Sequence, residues 1–168
     1  MIDFHTHLLA RMDDGAKDDA QSLDMVDDLI AQGVTRIVCT PHFYPYKESI
    51  AAFAERRDER FEHLAALCRD RQGLELIKGA EVYCFDTLEY IQDFSPLCIG
   101  KTSYILVELP FAGTMSKRVL KILRMITDRH ALTPVIAHAE RYPSMRIAPQ
   151  RNIRKLRELG CHNAHPAR

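Results

Sequence analysis

Five short runs rich in β-branched and other apolar residues, at positions 2–7, 34–40, 74–83, 104–109 and 134–138, alternate with longer amphipathic segments. This alternation constrains the fold more than any other feature, because parallel strands need a long crossover and an amphipathic helix is the usual one. The expectation is an α/β protein with five strands running in one direction. Asp18 or Asp19 can cap a helix carrying Leu23, Val26 and Ile30 at helical spacing, with Gly33 as its stop signal. A second helix is expected over 49–71, with the charge run ERRDER on a solvated face opposite Ile50, Phe53, Phe61 and Leu64. A third begins near Ser116, burying Val119, Leu123 and Ile126 while Lys117, Arg118, Lys121 and Arg124 face outward, and a fourth covers 151–159.

At 168 residues, 46% of them hydrophobic, the chain is long enough for one domain with its own core. Lys plus Arg equals Asp plus Glu at 23 each, so no net field draws in nucleic acid or an anionic membrane. An anionic ligand therefore needs a local site. The first residues fit neither a signal nor a transit peptide, and no apolar run approaches the roughly 20 residues that span a bilayer, so a cytoplasmic protein is expected. The five cysteines, Cys39, Cys68, Cys84, Cys98 and Cys161, include no CxxC pair and are odd in number, which favours reduced, buried thiols.

Ligands of parallel α/β folds bind at the carboxyl ends of the strands, where loops and helix N-termini converge. The polar residues at those ends are of one kind. The first strand ends in His5 and His7, the second in Thr40, Pro41 and His42, and the third in Glu81. The fourth ends in Glu108, and the fifth in His138 with Glu140 and Arg141 just beyond. Residues two apart on a strand share a face, so His5 and His7 can bite one ion. Several ionisable groups gathered in one place need compensation, and cations supply it. The mixed nitrogen and oxygen set, without thiolate, suits manganese, iron or zinc. One of Asp13 and Asp14 in MDDG, with Asp14 favoured, is expected to complete a metal sphere, although Asp-Gly is also an ordinary turn. Arg141 is placed to clamp a phosphate, its other role being an ion pair with Glu140. His63 and His130 lie on helices and are not expected as ligands.

The stretches DFHTH, DDGAKD, TPHF, GAEVY, VELP and AHAERYP occur in this order. Together they resemble the polymerase and histidinol phosphatase (PHP) family of metal-dependent phosphoesterases, over residues 1 to about 160. Within it they are most similar to the bacterial protein-tyrosine phosphatases of capsule and exopolysaccharide biosynthesis. The resemblance implies a distorted (β/α)7 barrel with up to three metal ions, commonly manganese, with iron, magnesium or zinc as alternatives. It implies His5 and His7 on one ion, Glu81 bridging to a second ion held also by Glu108 and His138, and His42 on a third, with Asp14 as its candidate partner. Arg141 would hold the substrate phosphate. The implied substrate is phosphotyrosine, on a cognate tyrosine autokinase controlling polysaccharide synthesis. No cysteine has an arginine six positions later, so the phosphate-binding loop of thiol-dependent phosphatases is absent.

Members of the family continue past the fifth strand and carry a late Asp-Ala-His motif. Here the matching pattern gives way at about 161–168, so the expectation is a single PHP-type domain with its barrel truncated to about five strands. Asn163, Ala164 and His165 echo the late motif but follow a helix with no strand expected to place them. Exposed edges on the first and fifth strands, self-association, and weakened metal sites around His5, His7 and His42 are the expected consequences. Two other readings keep the same residues: a histidinol-phosphatase-like enzyme for small phosphomonoesters, and a catalytically impaired metal-binding fragment.

Overall fold

The structure, a computed structural model, describes residues 1–112, 115–147 and 149–163, and the side chains of all of these except Ser144 and Asn163. Among them the strands are β1 (Ile2–Thr6), β2 (Arg36–Cys39), β3 (His42–Phe43), β4 (Glu75–Lys78), β5 (Glu81–Tyr83), β6 (Tyr104–Glu108), β7 (Thr133–Ile136) and β8 (His162–Asn163). The helices are α1 (Asp19–Ala31), α2 (Ile50–Leu67), α3 (Lys117–His130), α4 (Pro143–Ile147) and α5 (Pro149–Glu158). Every strand pairing is parallel, in the orders β1-β2-β4 and β3-β5-β6-β7-β8.

The two sheets are parts of one bent surface, because β2 runs on into β3 and β4 into β5. Main-chain bonds carry the ladder across the bend: Gly79 N–H donates to the Cys39 carbonyl at 2.9 Å and Glu81 N–H to the Pro41 carbonyl at 3.0 Å. The expected strand over 74–83 is thus broken, and the one over 34–40 is followed by a further strand at His42. Both breaks have local causes. Pro41 has no N–H to give the ladder. Gly79 sits where a Cβ would lie 3.0 Å from Val38 Cγ1 and 3.1 Å from Thr40 Cγ2, so a side chain there would crowd those two on the neighbouring strand.

The end of the chain also departs from expectation. A strand does follow the last helix: β8 pairs with β7 through Val135↔His162 and Ile136↔Asn163, and so covers part of the edge expected to be bare. Residues 164–168, including Ala164 and His165 of the echoed motif, lie outside the described residues. Among the described residues β1 pairs only with β2 and does not meet β8, so the barrel is open there.

The first three helices start close to where they are expected; Asp18, of the two candidates, caps the first, and Ser49 and Ser116 cap the next two, accepting from the backbone N–H of Gln21, Ala52 and Val119 respectively. They pack one face of the sheet through Val26, Phe53, Phe61, Leu64, Ile122, Leu123 and Ile126. A second, smaller apolar layer, Val38, Ile99, Leu106, Val135 and Ala137, gathers with Phe4 and Ile77. In β5 and β6 the register sets Glu81 beside Leu106 and Tyr83 beside Glu108, so polar groups continue the face that begins apolar. Ile30, expected in the core, is 37% exposed, and Leu29 and Met25 pack there instead.

The run ERRDER is not wholly solvated. Arg57 is 4% exposed. Its Nη1 donates to the Gly79 carbonyl at 3.3 Å and to the Pro96 carbonyl, and its Nε to Asp58 Oδ1 at 2.8 Å. A carbonyl at the strand break is thereby satisfied by a cation from α2. Arg57→Met should orphan these acceptors and lower unfolding free energy by about 1–3 kcal/mol for each carbonyl left unpaired. Urea denaturation checks this, with Arg57→Lys expected to lose less.

Candidate metal centre

His5 and His7 lie at the end of β1 and flank Thr6, whose hydroxyl donates to the Val38 carbonyl at 2.8 Å and whose N–H donates to Thr40 Oγ1 at 3.0 Å. This anchor holds the two imidazoles toward the same neighbour, Glu81, the first residue of β5. Glu81 is fully buried. Its Oε2 lies 2.9 Å from His5 Nε2, 3.1 Å from His7 Nε2 and 3.4 Å from His42 Nδ1, and its Oε1 lies 3.9 Å from His138 Nε2. The Nε2 atoms of His5 and His7 are themselves 3.2 Å apart. Glu108 Oε2, at the end of β6, lies 3.8 Å from His42 Nδ1. Asp14 is 84% exposed and faces His42 Nε2 at 3.6 Å.

The chain therefore brings seven of the eight expected site residues, His5, His7, Asp14, His42, Glu81, Glu108 and His138, into one cluster. The eighth, Arg141, sits in the 3-10 turn after His138, where its Nε lies 3.7 Å from Glu140 Oε1 with the side chain 61% exposed. His138 packs its ring against His5 at 4.6 Å and adopts the left-handed backbone region at φ 47°, a costly conformation for a residue with a side chain. His63 pairs with Asp19 at the surface, and His130 ends α3 with its ring against Phe94 at 4.8 Å.

Asp13 has a different part from its neighbour. Its Oδ2 accepts from His7 Nδ1 at 2.7 Å and from the His42 backbone N–H at 2.8 Å, and its Oδ1 accepts from Gly15 N–H at 3.0 Å. One carboxylate thus orients His7 and ties down His42. With Nδ1–H given to Asp13, the lone pair of His7 Nε2 points into the cluster, toward another lone pair on Glu81 Oε2. Such convergence is stable only when a proton or a cation is shared. The loop that carries Asp13 passes so close to His7 that a Cβ on Gly15 would fall 2.3 Å from the His7 carbonyl oxygen. A signal for this existed in the sequence, since Asp-x-Gly is an Asx turn, but its long-range target was not visible.

The electrostatics follow the contacts. Burial opposes charge on His7, but the hydrogen bonds to Asp13 and Glu81 prevail and push it up to about 10. Burial likewise opposes the Glu81 carboxylate, and the bonds from His5 and His7 hold it well below the usual range. Burial lowers His42 and, helped by His5, His138. Glu108 is pushed up to about 7, by burial first and by the Glu81 charge second.

Three sets of donors each fall within 4.8 Å of one another: His5, His7 and Glu81; His7, Asp14 and His42; His42, Glu81 and Glu108. Each could hold a cation. Among the described residues, Glu81 Oε1 and His42 Nδ1 are buried without a hydrogen-bond partner, which is the state of a ligand atom whose partner is an ion. The donor chemistry fits a hard or borderline divalent cation.

The pair Glu81 and Glu108 makes a testable statement about the metal-free protein. A carboxyl titrating near pH 7 by 13C NMR should vanish in Glu108→Gln and move toward the ordinary value of 4.5 in Glu81→Gln. Because folded Glu108 keeps its proton between 4.5 and about 7 while the unfolded chain has lost it, this group reduces stability as pH rises through that window. His7 acts in the same direction at higher pH: its stabilising contribution is full below 6.5 and is lost as pH rises through about 10.

Comparison with known proteins places this arrangement. The chain is 34% identical over 154 residues to the tyrosine-protein phosphatase YwqE of Bacillus subtilis, covering 89% of this chain and 58% of that protein. It is 30% identical over 164 residues to the tyrosine-protein phosphatase CpsB of Streptococcus pneumoniae, covering 96% and 65%. A solved structure from work on YwqE of Bacillus subtilis and CpsB of Streptococcus pneumoniae, described as unique metal-dependent tyrosine phosphatases, superposes with a TM-score of 0.78 at 30% identity. It covers 97% of this chain and 65% of its own. The chain thus spans about three fifths of the length of these relatives. A family model described as capsular polysaccharide synthesis, CpsB/CapC, matches residues 1–165, and with the PHP-type α/β fold shared with the solved structure, this chain belongs to the CpsB/CapC family.

Proposed function

We propose that this chain is a metal-dependent phosphomonoesterase that hydrolyses phosphotyrosine in proteins, with manganese as its metal and a tyrosine autokinase of capsule or exopolysaccharide synthesis as its substrate. The observation that carries the reading is the buried Glu81 carboxylate, with imidazole nitrogens of His5, His7 and His42 at 2.9–3.4 Å and a second oxygen left without a hydrogen-bond partner. The relatives named tyrosine-protein phosphatases support the substrate class, and the CpsB/CapC family description supports the setting. Among the described residues no helix is long and apolar enough to cross a membrane, consistent with action in the cytoplasm.

In this reading His5, His7, Asp14, His42, Glu81, Glu108 and His138 hold the ions, and Arg141 receives the substrate phosphate through its planar guanidinium. Bound divalent cations would polarise the phosphoryl oxygens and make a nucleophilic water available at neutral pH. Asp13 keeps His7 in one tautomer and orientation. Glu108 must lose its proton before it can act as a ligand, so cation binding strengthens as pH rises through about 7. Thiol chemistry is disfavoured: all five cysteines are buried, and burial pushes Cys39, Cys84 and Cys161 up to about 12.

Chelation followed by manganese should abolish and then restore hydrolysis of a phosphotyrosine peptide, and Glu81→Gln should remove the response. A rate indifferent to chelator and to Glu81→Gln would overturn the reading. Faster turnover of histidinol phosphate than of the peptide would move the substrate to small phosphomonoesters. Asp13→Asn, which keeps the shape but not the charge behind His7, should weaken manganese binding by about 10- to 100-fold in calorimetric titration.

A further inference from the structure

Two stretches of the chain carry aromatic residues outward from the cluster. Two residues beyond His42 stands Tyr44 and two beyond that Tyr46; two residues beyond Glu81 stands Tyr83 and two beyond that Phe85. β3 ends at Phe43 and β5 at Tyr83, so Tyr44 and Tyr46 lie in the chain that leaves β3 and turns, and Phe85 lies just past β5. The rings meet. Tyr44 stacks on the His42 imidazole with centroids 5.3 Å apart and planes at 25°. Tyr44 lies 5.8 Å from both Tyr46 and Tyr83, Tyr46 lies 6.2 Å from Tyr83 and 5.0 Å from Phe85, and Tyr83 lies 6.4 Å from Phe85. Lys47 Nζ sits 4.0 Å from the centre of the Tyr44 ring. This is not core: Tyr46 is 50% exposed and Phe85 38%.

We propose that Tyr44, Tyr46, Tyr83 and Phe85 form a shelf that receives the aromatic ring of an aryl phosphate and makes the adjoining site select aryl over alkyl esters. The inference rests on the phosphatase reading above and adds to it the residues that choose the substrate. In an aryl phosphate only one oxygen separates phosphorus from the ring, so a phosphate held at the His42 end puts its ring immediately beside the cluster. The shelf begins there, with Tyr44 on His42. A further ring gains stacked or edge-on contacts with Tyr46 and Phe85 and covers aromatic surface that otherwise faces water. An alkyl or sugar phosphate gains less. Tyr44 and Tyr83 are half-buried and set the position, while Tyr46 and Phe85 supply the open faces.

The test is a ratio. In manganese-loaded full chain, kcat/KM for phenyl phosphate relative to a hexose phosphate, and for a phosphotyrosine relative to a phosphoserine peptide, should fall about tenfold when Tyr46 and Phe85 are both replaced by alanine. Tyr46→Leu with Phe85→Leu, which keeps apolar bulk but removes the rings, should give a similar fall if the alanine pair does not fold. Calorimetric binding of phenylphosphonate against methylphosphonate gives a readout independent of turnover, and the preference for the phenyl compound should drop in the same variants. Unchanged ratios and an unchanged phosphonate preference in folded protein would overturn the shelf while leaving the phosphatase reading intact. An inactive but phosphonate-selective protein would do the reverse. A larger loss for hexose phosphate than for phenyl phosphate would also overturn it, as the mark of a sugar-binding surface.

Discussion

One buried carboxylate organises this molecule. Glu81 has no solvent contact, and the groups close enough to compensate its charge are imidazoles delivered by other strand ends. An isolated carboxylate in such a place would cost several kcal/mol, so the surrounding structure has to bring positive charge to it. His5 and His7 arrive from the end of β1, His42 from β3 and His138 from just past β7. The knitting of Thr6 to Val38 and Thr40, the strained backbone of His138 and the close pass of Gly15 over His7 all serve to keep those imidazoles in range.

The bend in the sheet is part of the same solution. Breaking two adjacent strands at one level, at Pro41 and at Gly79, sets His42 and Glu81 beyond Val38 and Ile77 and brings Glu81 beside Leu106 of β6. A straight strand through 74–83 would have kept its ladder but not turned at this point. The break leaves a carbonyl at Gly79 that α2 satisfies with Arg57, so a charged residue inside a helix becomes a structural element of the sheet. At the far side, the buried Tyr142 hydroxyl accepts from the Leu109 N–H at 2.9 Å and fixes the residue that follows Glu108.

Much of this was legible in the order of residues. The strand and helix alternation, the starts of the first three helices and the metal-capable group at each strand end are local features, and the structure reproduces the helices and gathers the cluster. What could not be read was any contact whose partner lies far along the chain. ERRDER reads as solvated because all six of its residues are charged, and only the approach of α2 to Gly79 shows that Arg57 is buried. Asp13 and Asp14 are neighbours of one type, yet Asp13 is turned in beneath His7 and the His42 N–H while Asp14 is left exposed. The short β8 was unreadable for the same reason, since two residues carry no periodicity and their strand character comes from the open edge of β7.

Periodicity and spacing along the chain were enough to determine an α/β architecture with parallel strands, the faces its helices bury and the identity of the residues that meet at the strand ends. These depend on steric preferences and on side-chain alternation, which act within a few residues. Which oxygen meets which nitrogen, which of two aspartates is turned in beneath His7 and which faces out beside His42, and how the tyrosines beyond His42 and Glu81 close into a shelf depended on the fold in three dimensions. Hydrogen bonding and charge compensation act over a few ångströms of space regardless of separation in sequence, and 76 residues separate His5 from the carboxylate it serves.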